Sequence, residues 1–97
     1  MKKKTRLLFF LFAVCIKLHA QNDSIIAARL AEAKKYLFGI GVAIDAPKAF
    51  TLYSQLAQEG NATAMNILGK LYQKGKGVAA NENQAIYWFT KTATAGI

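Results

Sequence analysis

The chain has 97 residues, of which 54% are apolar, and a formal net charge of +8. This length allows one small domain, and this apolar fraction excludes a disordered chain. Five of the 13 basic residues lie in residues 1–20, which contain no acid, so residues 21–97 carry a net charge of only +3. The basic composition therefore does not indicate a nucleic-acid-binding protein.

Residues 1–20 have the features of a cleavable export signal. Residues 1–6 are basic, residues 7–16 form an uninterrupted apolar run, and Ala20 supplies a small residue where the segment ends. We expect cleavage after Ala20 and export to the periplasm or the extracellular space. No stable membrane span is then expected, because ten apolar residues form a helix of roughly 15 Å, about half of a bilayer core.

Two alternatives for this segment remain open. The first is an uncleaved membrane anchor. The second is a lipoprotein modified at Cys15, which is disfavoured because Val14 is not a small residue and Ile16 continues the apolar run.

The rest of the chain contains an internal repeat of 36 residues. Residues 39–43, with the sequence GIGVA, align with residues 75–79, with the sequence GKGVA. Ten of the 34 pairs between 28/64 and 61/97 are identical, including Tyr36 with Tyr72. A pair of matched GxGV runs at one spacing indicates two copies of one supersecondary unit.

The first copy predicts two helices. Residues 24–37 fit an amphipathic helix best if the offset to the second copy is 38, which aligns Ile26, Leu30 and Ala33 with apolar positions. Asp45 is the predicted N-cap of the second helix, and Pro47 lies in its first turn, where a missing N–H is tolerated. Its predicted inner face consists of Ala49, Leu52, Tyr53, Leu56 and Ala57.

The second copy repeats this plan. Asn61 is the predicted N-cap of a helix that ends at Gly75, and Asn81 caps a helix that ends at Gly96. Apolar residues recur at steps of three and four on each helix, which predicts one buried face on each. The predicted buried residues are Ala64, Ile67, Leu68, Leu71 and Tyr72 on the first of these helices, and Ala85, Ile86, Trp88, Phe89 and Ala93 on the second.

These residues resemble the Sel-1-like repeat, a relative of the tetratricopeptide repeat. The resemblance assigns residues 21–61 to a first repeat with a degenerate first helix and residues 62–97 to a second. It implies an all-α solenoid of two stacked helix–turn–helix units behind the signal segment. The residues with implied structural roles are Gly39, Gly41, Val42, Asp45, Ala49, Tyr53, Ala57, Gly60, Leu68, Gly69, Tyr72, Gly75, Gly77, Val78, Ala85, Trp88, Phe89, Ala93 and Gly96.

Function is expected to follow from binding rather than from catalysis. Residues 21–97 contain no cysteine and no histidine, and their five acids form no obvious catalytic pair. We therefore predict no enzyme activity, no cofactor and no metal site. The resemblance implies a scaffold for protein–protein interaction in the envelope or secretory pathway. The alternative is an envelope enzyme or ligand-binding protein like the β-lactam-binding branch of the family, which is cysteine-rich, as this chain is not.

Two surfaces are candidates for partner binding. The outward residues Asn66, Lys70 and Gln73 of the third helix are expected to line a groove. The lysines Lys34, Lys35, Lys70, Lys74 and Lys76 are expected to form a solvated face rather than a nucleic-acid site. Attraction of this face to anionic envelope polymers or to acidic partners is an intermediate interpretation that remains open.

Ile97 directly follows the last glycine of the second repeat, without a capping segment, so we expect Trp88 and neighbouring apolar side chains of the last helix to be partly exposed. A fragment of a longer array, a protein that pairs with itself or a partner through this end, and a marginally stable monomer are the three interpretations.

Overall fold

The computed structural model describes residues 23–95, and the predicted signal segment with Cys15, as well as Gly96, lies outside them. Within this range the chain forms four helices and no strand. Helix α1 spans 23–38, α2 spans Ala46–Gln58, α3 spans Ala62–Lys74 and α4 spans Glu82–Thr94. The predicted all-α solenoid of helix pairs is confirmed.

Three predicted N-caps begin helices α2 to α4. The side chains of Asp45, Asn61 and Asn81 accept hydrogen bonds from the backbone N–H three residues later, at 3.1, 2.8 and 3.1 Å. Each cap satisfies one of the N–H groups that a helix leaves without a partner, which contributes about 1 kcal/mol. Pro47 occupies the first turn of α2, as predicted.

The turns of the two repeats share a backbone hydrogen bond and a glycine conformation at an offset of 36 residues. The backbone N–H of Asp45 donates to the carbonyl of Tyr36 at 2.9 Å, and Asn81 donates to Tyr72 at the same distance. Gly39 and Gly75 each have a φ near +70°, a conformation that favours glycine at a helix end. The preferred offset of 38 for α1 is therefore wrong, since no insertion precedes the glycines.

The misassigned offset has a physical reason in what covers each helix. Ala64, Leu68 and Leu71 of α3 are buried in the core, with at most 3% of their surface exposed. Their counterparts in α1, 36 residues earlier, are exposed, because no described helix precedes α1. The apolar residues Ile26, Leu30 and Ala33 do pack on the core, as the sequence predicts, but from different positions of the repeat. The exposed counterparts are Ala28, Glu32 and Lys35.

One continuous core holds the helices together. Tyr53 and Leu56 of α2 and Leu68 of α3 are the largest fully buried side chains. Phe50 of α2 packs edge-on against Tyr72 of α3, with 5.3 Å between ring centroids. The contact joins the second helix of one repeat to the first helix of the next, which is how the two units stack.

Helix α4 differs from the predicted burial pattern. Ile86 and Ala93 are exposed and Phe89 is half-buried, although all three were expected in the core. Their counterparts in α2 are covered by α3, whereas no described helix covers this side of α4. Trp88 is 8% exposed, so the exposure expected at this end falls on Ile86 and Tyr87 instead.

Candidate interaction groove

Helices α1 and α3 are the two sides of a groove with a volume of about 480 Å³. Its floor is apolar and is formed by Leu30 and Leu37 of α1, Tyr53 of α2, and Ile67 and Leu71 of α3. Four lysines stand around this floor. We call this surface the lysine groove; its lysines are Lys34, Lys70, Lys74 and Lys76.

The repeat and the helical period place these lysines. Lys34 and Lys70 occupy equivalent positions 36 residues apart and line the groove from α1 and α3. Lys70 and Lys74 are one helical turn apart and therefore share a face of α3. Lys76 follows the left-handed Gly75, and its ammonium lies 5.7 Å from the centroid of the Phe38 ring. The turn glycine thus brings a fourth positive charge to the groove.

The charge of the groove is uncompensated by the residues that line it. No carboxylate lines it, and Arg29 with Glu59 forms the one ion pair found in residues 23–95, at 2.8 Å, on a different surface. Four ammonium groups around an apolar floor create a positive potential there, because the low-dielectric wall does not screen them as water does.

The floor of the groove is neutral. Tyr53 is 2% exposed, and this burial raises the pKa of its hydroxyl above the ordinary value of 10.0. The hydroxyl is therefore protonated at neutral pH and carries no charge that would offset the lysines.

The three residues predicted to bind a partner occupy different places. Lys70 lines the lysine groove, whereas Gln73 lines a separate depression with Glu82 and Phe89 of α4. Asn66 is half-buried on α3. The structure therefore places Lys70 and Gln73 on different surfaces rather than in one groove.

The sequence predicts five lysines on one solvated face but does not predict the groove between α1 and α3. Four of them line it, and Lys35 is exposed on α1 outside it. The 36-residue match of Lys34 with Lys70 was a usable signal. The contributions of Leu37 and Phe38 had no such signal, because their counterparts Gln73 and Lys74 are polar.

The described residues show no constellation for metal chemistry. Within residues 23–95 no group of three or more histidine, cysteine, aspartate or glutamate side chains is placed to hold a metal ion. In the same range, no helix combines the length and the apolar character that a membrane crossing requires.

Comparison with known proteins places these features in a family. The model of the Sel1 repeat matches residues 27–61 and 62–97. Chitin synthase regulatory factor 4 of Schizosaccharomyces pombe is 37% identical over 70 residues, which are 71% of this chain and 10% of that protein. The chain thus spans about a tenth of the length of this curated relative.

Solved structures show the same arrangement of helices. A Sel1 repeat protein from Oxalobacter formigenes is 35% identical with a TM-score of 0.70, over 74% of this chain and 21% of that one. Cysteine rich protein B of Helicobacter pylori is 30% identical with a TM-score of 0.70, over 74% of this chain and 54% of that one. With two matched repeats that cover most of its length, the chain belongs to the Sel1 repeat family.

Proposed function

We propose that this chain is an exported scaffold that binds other proteins through the lysine groove and catalyses no reaction itself. The observation that carries this proposal is the groove, an open surface with an apolar floor and a charged rim. Sel1 repeats generally mediate contacts between proteins, which supports the same function. The name of the yeast relative, a regulatory factor, agrees with an interaction role.

The composition of the groove favours a protein as its ligand. Protein interfaces combine an apolar centre with a polar rim, and this surface has that arrangement. The floor contributes binding free energy by losing contact with water, while the lysines contribute orientation and association rate.

The alternative of a ligand-binding enzyme has no supporting observation on this chain. The solved relative from Helicobacter pylori is named for its cysteines. This chain has one cysteine, Cys15, which lies inside the proposed signal segment.

Export to the periplasm or extracellular space is a further part of the proposal, and the sequence of residues 1–20 supports it. Fractionation of cells that express the full chain provides the test. We expect the secreted or periplasmic form to begin at Gln21. Recovery of the whole chain with Met1 intact would contradict cleavage, and recovery in the cytoplasm would contradict export.

Self-association through α4 is the remaining part. Phe50 of α2 packs against Tyr72 of the next helix. The residue equivalent to Phe50 in α4 is Ile86, and 56% of its surface is exposed. We propose that a second copy or a partner protein covers this face.

The scaffold function is tested by crosslinking inside native cells. A photoreactive amino acid replaces either Thr63 of α3, which lines the groove, or Gln58 of α2, which is exposed outside the groove. We expect discrete protein adducts, identified by mass spectrometry, from position 63 and not from position 58. Identical adducts from both positions, or none from either, would refute the groove as the binding surface.

A further inference from the structure

We infer that the lysine groove recognises an acidic protein segment carrying at least one bulky apolar side chain. The inference rests on the proposed scaffold function and adds the chemistry of the partner. It follows from the charge, the spacing and the floor of the groove.

The distribution of charge selects an acidic partner. Residues 21–97 contain eight basic and five acidic residues, yet four of the basic ones and none of the acids line the groove. A net charge of +3 would by itself be a weak signal. The concentration of positive charge on one concave surface makes the groove the most favourable place for an anionic segment to bind, since charges closer than the Debye length of about 8 Å are only partly screened at physiological salt.

The spacing of the lysines suits carboxylates on a protein backbone. Lys70 and Lys74 are separated by about 6 Å along the axis of α3, given a rise of 1.5 Å per residue. Side chains two positions apart in an extended segment are separated by roughly 6.6 Å. Two acidic residues at such positions can therefore reach the ammonium groups of Lys70 and Lys74. Lys34, across the groove, is available to a third acidic residue of the partner.

The floor requires more of the partner than charge. Leu30, Leu37, Ile67 and Leu71 form the apolar floor of the groove, whose volume of about 480 Å³ leaves room for a bulky side chain. A purely acidic segment would leave this surface wet. Insertion of one phenylalanine or leucine side chain is expected to strengthen binding by about tenfold or more.

Nucleic acid fits the same groove less well. Proteins that bind single strands combine positive charge with aromatic side chains on which bases stack. The floor here is mainly aliphatic, Tyr53 is buried in it, and Phe38 is the exposed aromatic residue at the edge. The observations thus favour a protein segment, and an oligonucleotide serves as a competing outcome of the test.

The experiment measures binding of synthetic peptides to the purified secreted form of the chain by fluorescence anisotropy. The probe is an eight-residue peptide with a central Phe-Leu pair flanked by three glutamates on each side. One control peptide replaces the pair by Gly-Ser, another replaces the glutamates by lysines, and an eight-nucleotide oligothymidine tests nucleic acid.

The protein variants are matched in charge and position. Lys34→Glu and Lys70→Glu reverse charges in the groove, and Lys35→Glu makes the same change one residue away and outside it. All three lysines are exposed, so the variants are expected to keep the helical circular-dichroism spectrum of the unchanged chain.

We expect the acidic Phe-Leu peptide to bind, and we expect its affinity to fall as the salt concentration rises. Lys34→Glu and Lys70→Glu are each expected to weaken it by about three- to tenfold, and Lys35→Glu by less than twofold. Equal loss from Lys34→Glu and Lys35→Glu would overturn the inference, as would equal binding of the Gly-Ser peptide, tighter binding of oligothymidine, or no binding at 20 mM salt. If the peptides fail while position 63 still crosslinks to proteins, the scaffold function stands and only the acidic partner is refuted.

Discussion

Gly69 of α3 lies directly against the ring of Phe89 in α4. A Cβ atom added to Gly69 would come within 2.7 Å of Phe89 Cε1, which is closer than side chains pack. Glycine inside a helix costs about 0.5–1 kcal/mol relative to alanine, so its presence here is explained by the close approach of the two helices. The packing of the second repeat therefore depends on this pair.

Replacement of Gly69 by valine is expected to destabilise the chain. The branched side chain would force Phe89 out of its position, and overpacking of this kind costs about 1–3 kcal/mol. Urea unfolding followed by circular dichroism measures the loss. Gln73→Val, at an exposed position of the same helix, is the control for β-branching. A loss no greater than that of the control would show that the ring moves without penalty.

The capping asparagines provide a second test of the fold. Asn61→Ala and Asn81→Ala each remove a side-chain acceptor from a helix start, so each is expected to lower the free energy of unfolding by about 1 kcal/mol. Asn83→Ala is the matched control, because Asn83 is exposed in the first turn of α4 and is not the cap. Equal effects of Asn81→Ala and Asn83→Ala would remove the cap as the cause.

The ion pair between Arg29 and Glu59 predicts a dependence on pH. Two hydrogen bonds of 2.8 Å from the Arg29 guanidinium lower the pKa of the Glu59 carboxyl from its ordinary value of 4.5. A depressed folded-state pKa means that the pair stabilises the fold above pH 4.5 and that this contribution is lost as the pH falls through the folded value. Glu59→Gln should therefore be less stable than the unchanged chain at pH 7.

The same comparison at low pH and at high salt completes the test. The difference in urea midpoint between the unchanged chain and Glu59→Gln is expected to close as the pH is lowered below 4.5 and through the folded-state pKa of Glu59. It is also expected to shrink in 1 M salt, because both side chains are accessible to water. A difference that is constant from pH 7 to pH 3 would show that the charge of Glu59 is not its source.

The exposed face of α4 predicts concentration-dependent association. Light scattering on a sizing column is expected to show a mass above that of the monomer, and Ile86→Glu is expected to restore the monomer. Ile86 is the suitable position because 56% of its surface is exposed, whereas Trp88 is buried and its replacement would disturb the core. Gln84→Glu, on the same helix, is the control. A monomer at every concentration would refute self-association through this face.

The elements that depend on local chemistry were predictable from the sequence. Asp45, Asn61 and Asn81 signal helix starts because their short side chains bond to the backbone nearby. The turn glycines signal helix ends for a similarly local reason. The number of helices, their order and the stacked repeat architecture follow from these signals and from the 36-residue period.

The features that depend on neighbouring helices were not predictable from the sequence. Ile86 carries the same apolar signal as a core residue, and its exposure is decided by the lack of a described helix on that side of α4. The repeat distinguishes Lys34, which matches Lys70, from Lys35, which matches Leu71, but only the packing of the helices creates the groove that Lys34 lines. Internal repetition relates equivalent positions to one another but does not say which of them a neighbour covers.

The most direct test of the central claim is a nuclear magnetic resonance titration of the ¹⁵N-labelled secreted form of the chain with the acidic Phe-Leu peptide. We expect the backbone amide shifts to concentrate at the groove residues Lys34, Leu37, Lys70, Leu71 and Lys74, with small changes at Lys35 and Ile86. Shifts that concentrate on α4 around Ile86, or that spread evenly over every exposed lysine, would contradict the lysine groove as the binding surface of this protein.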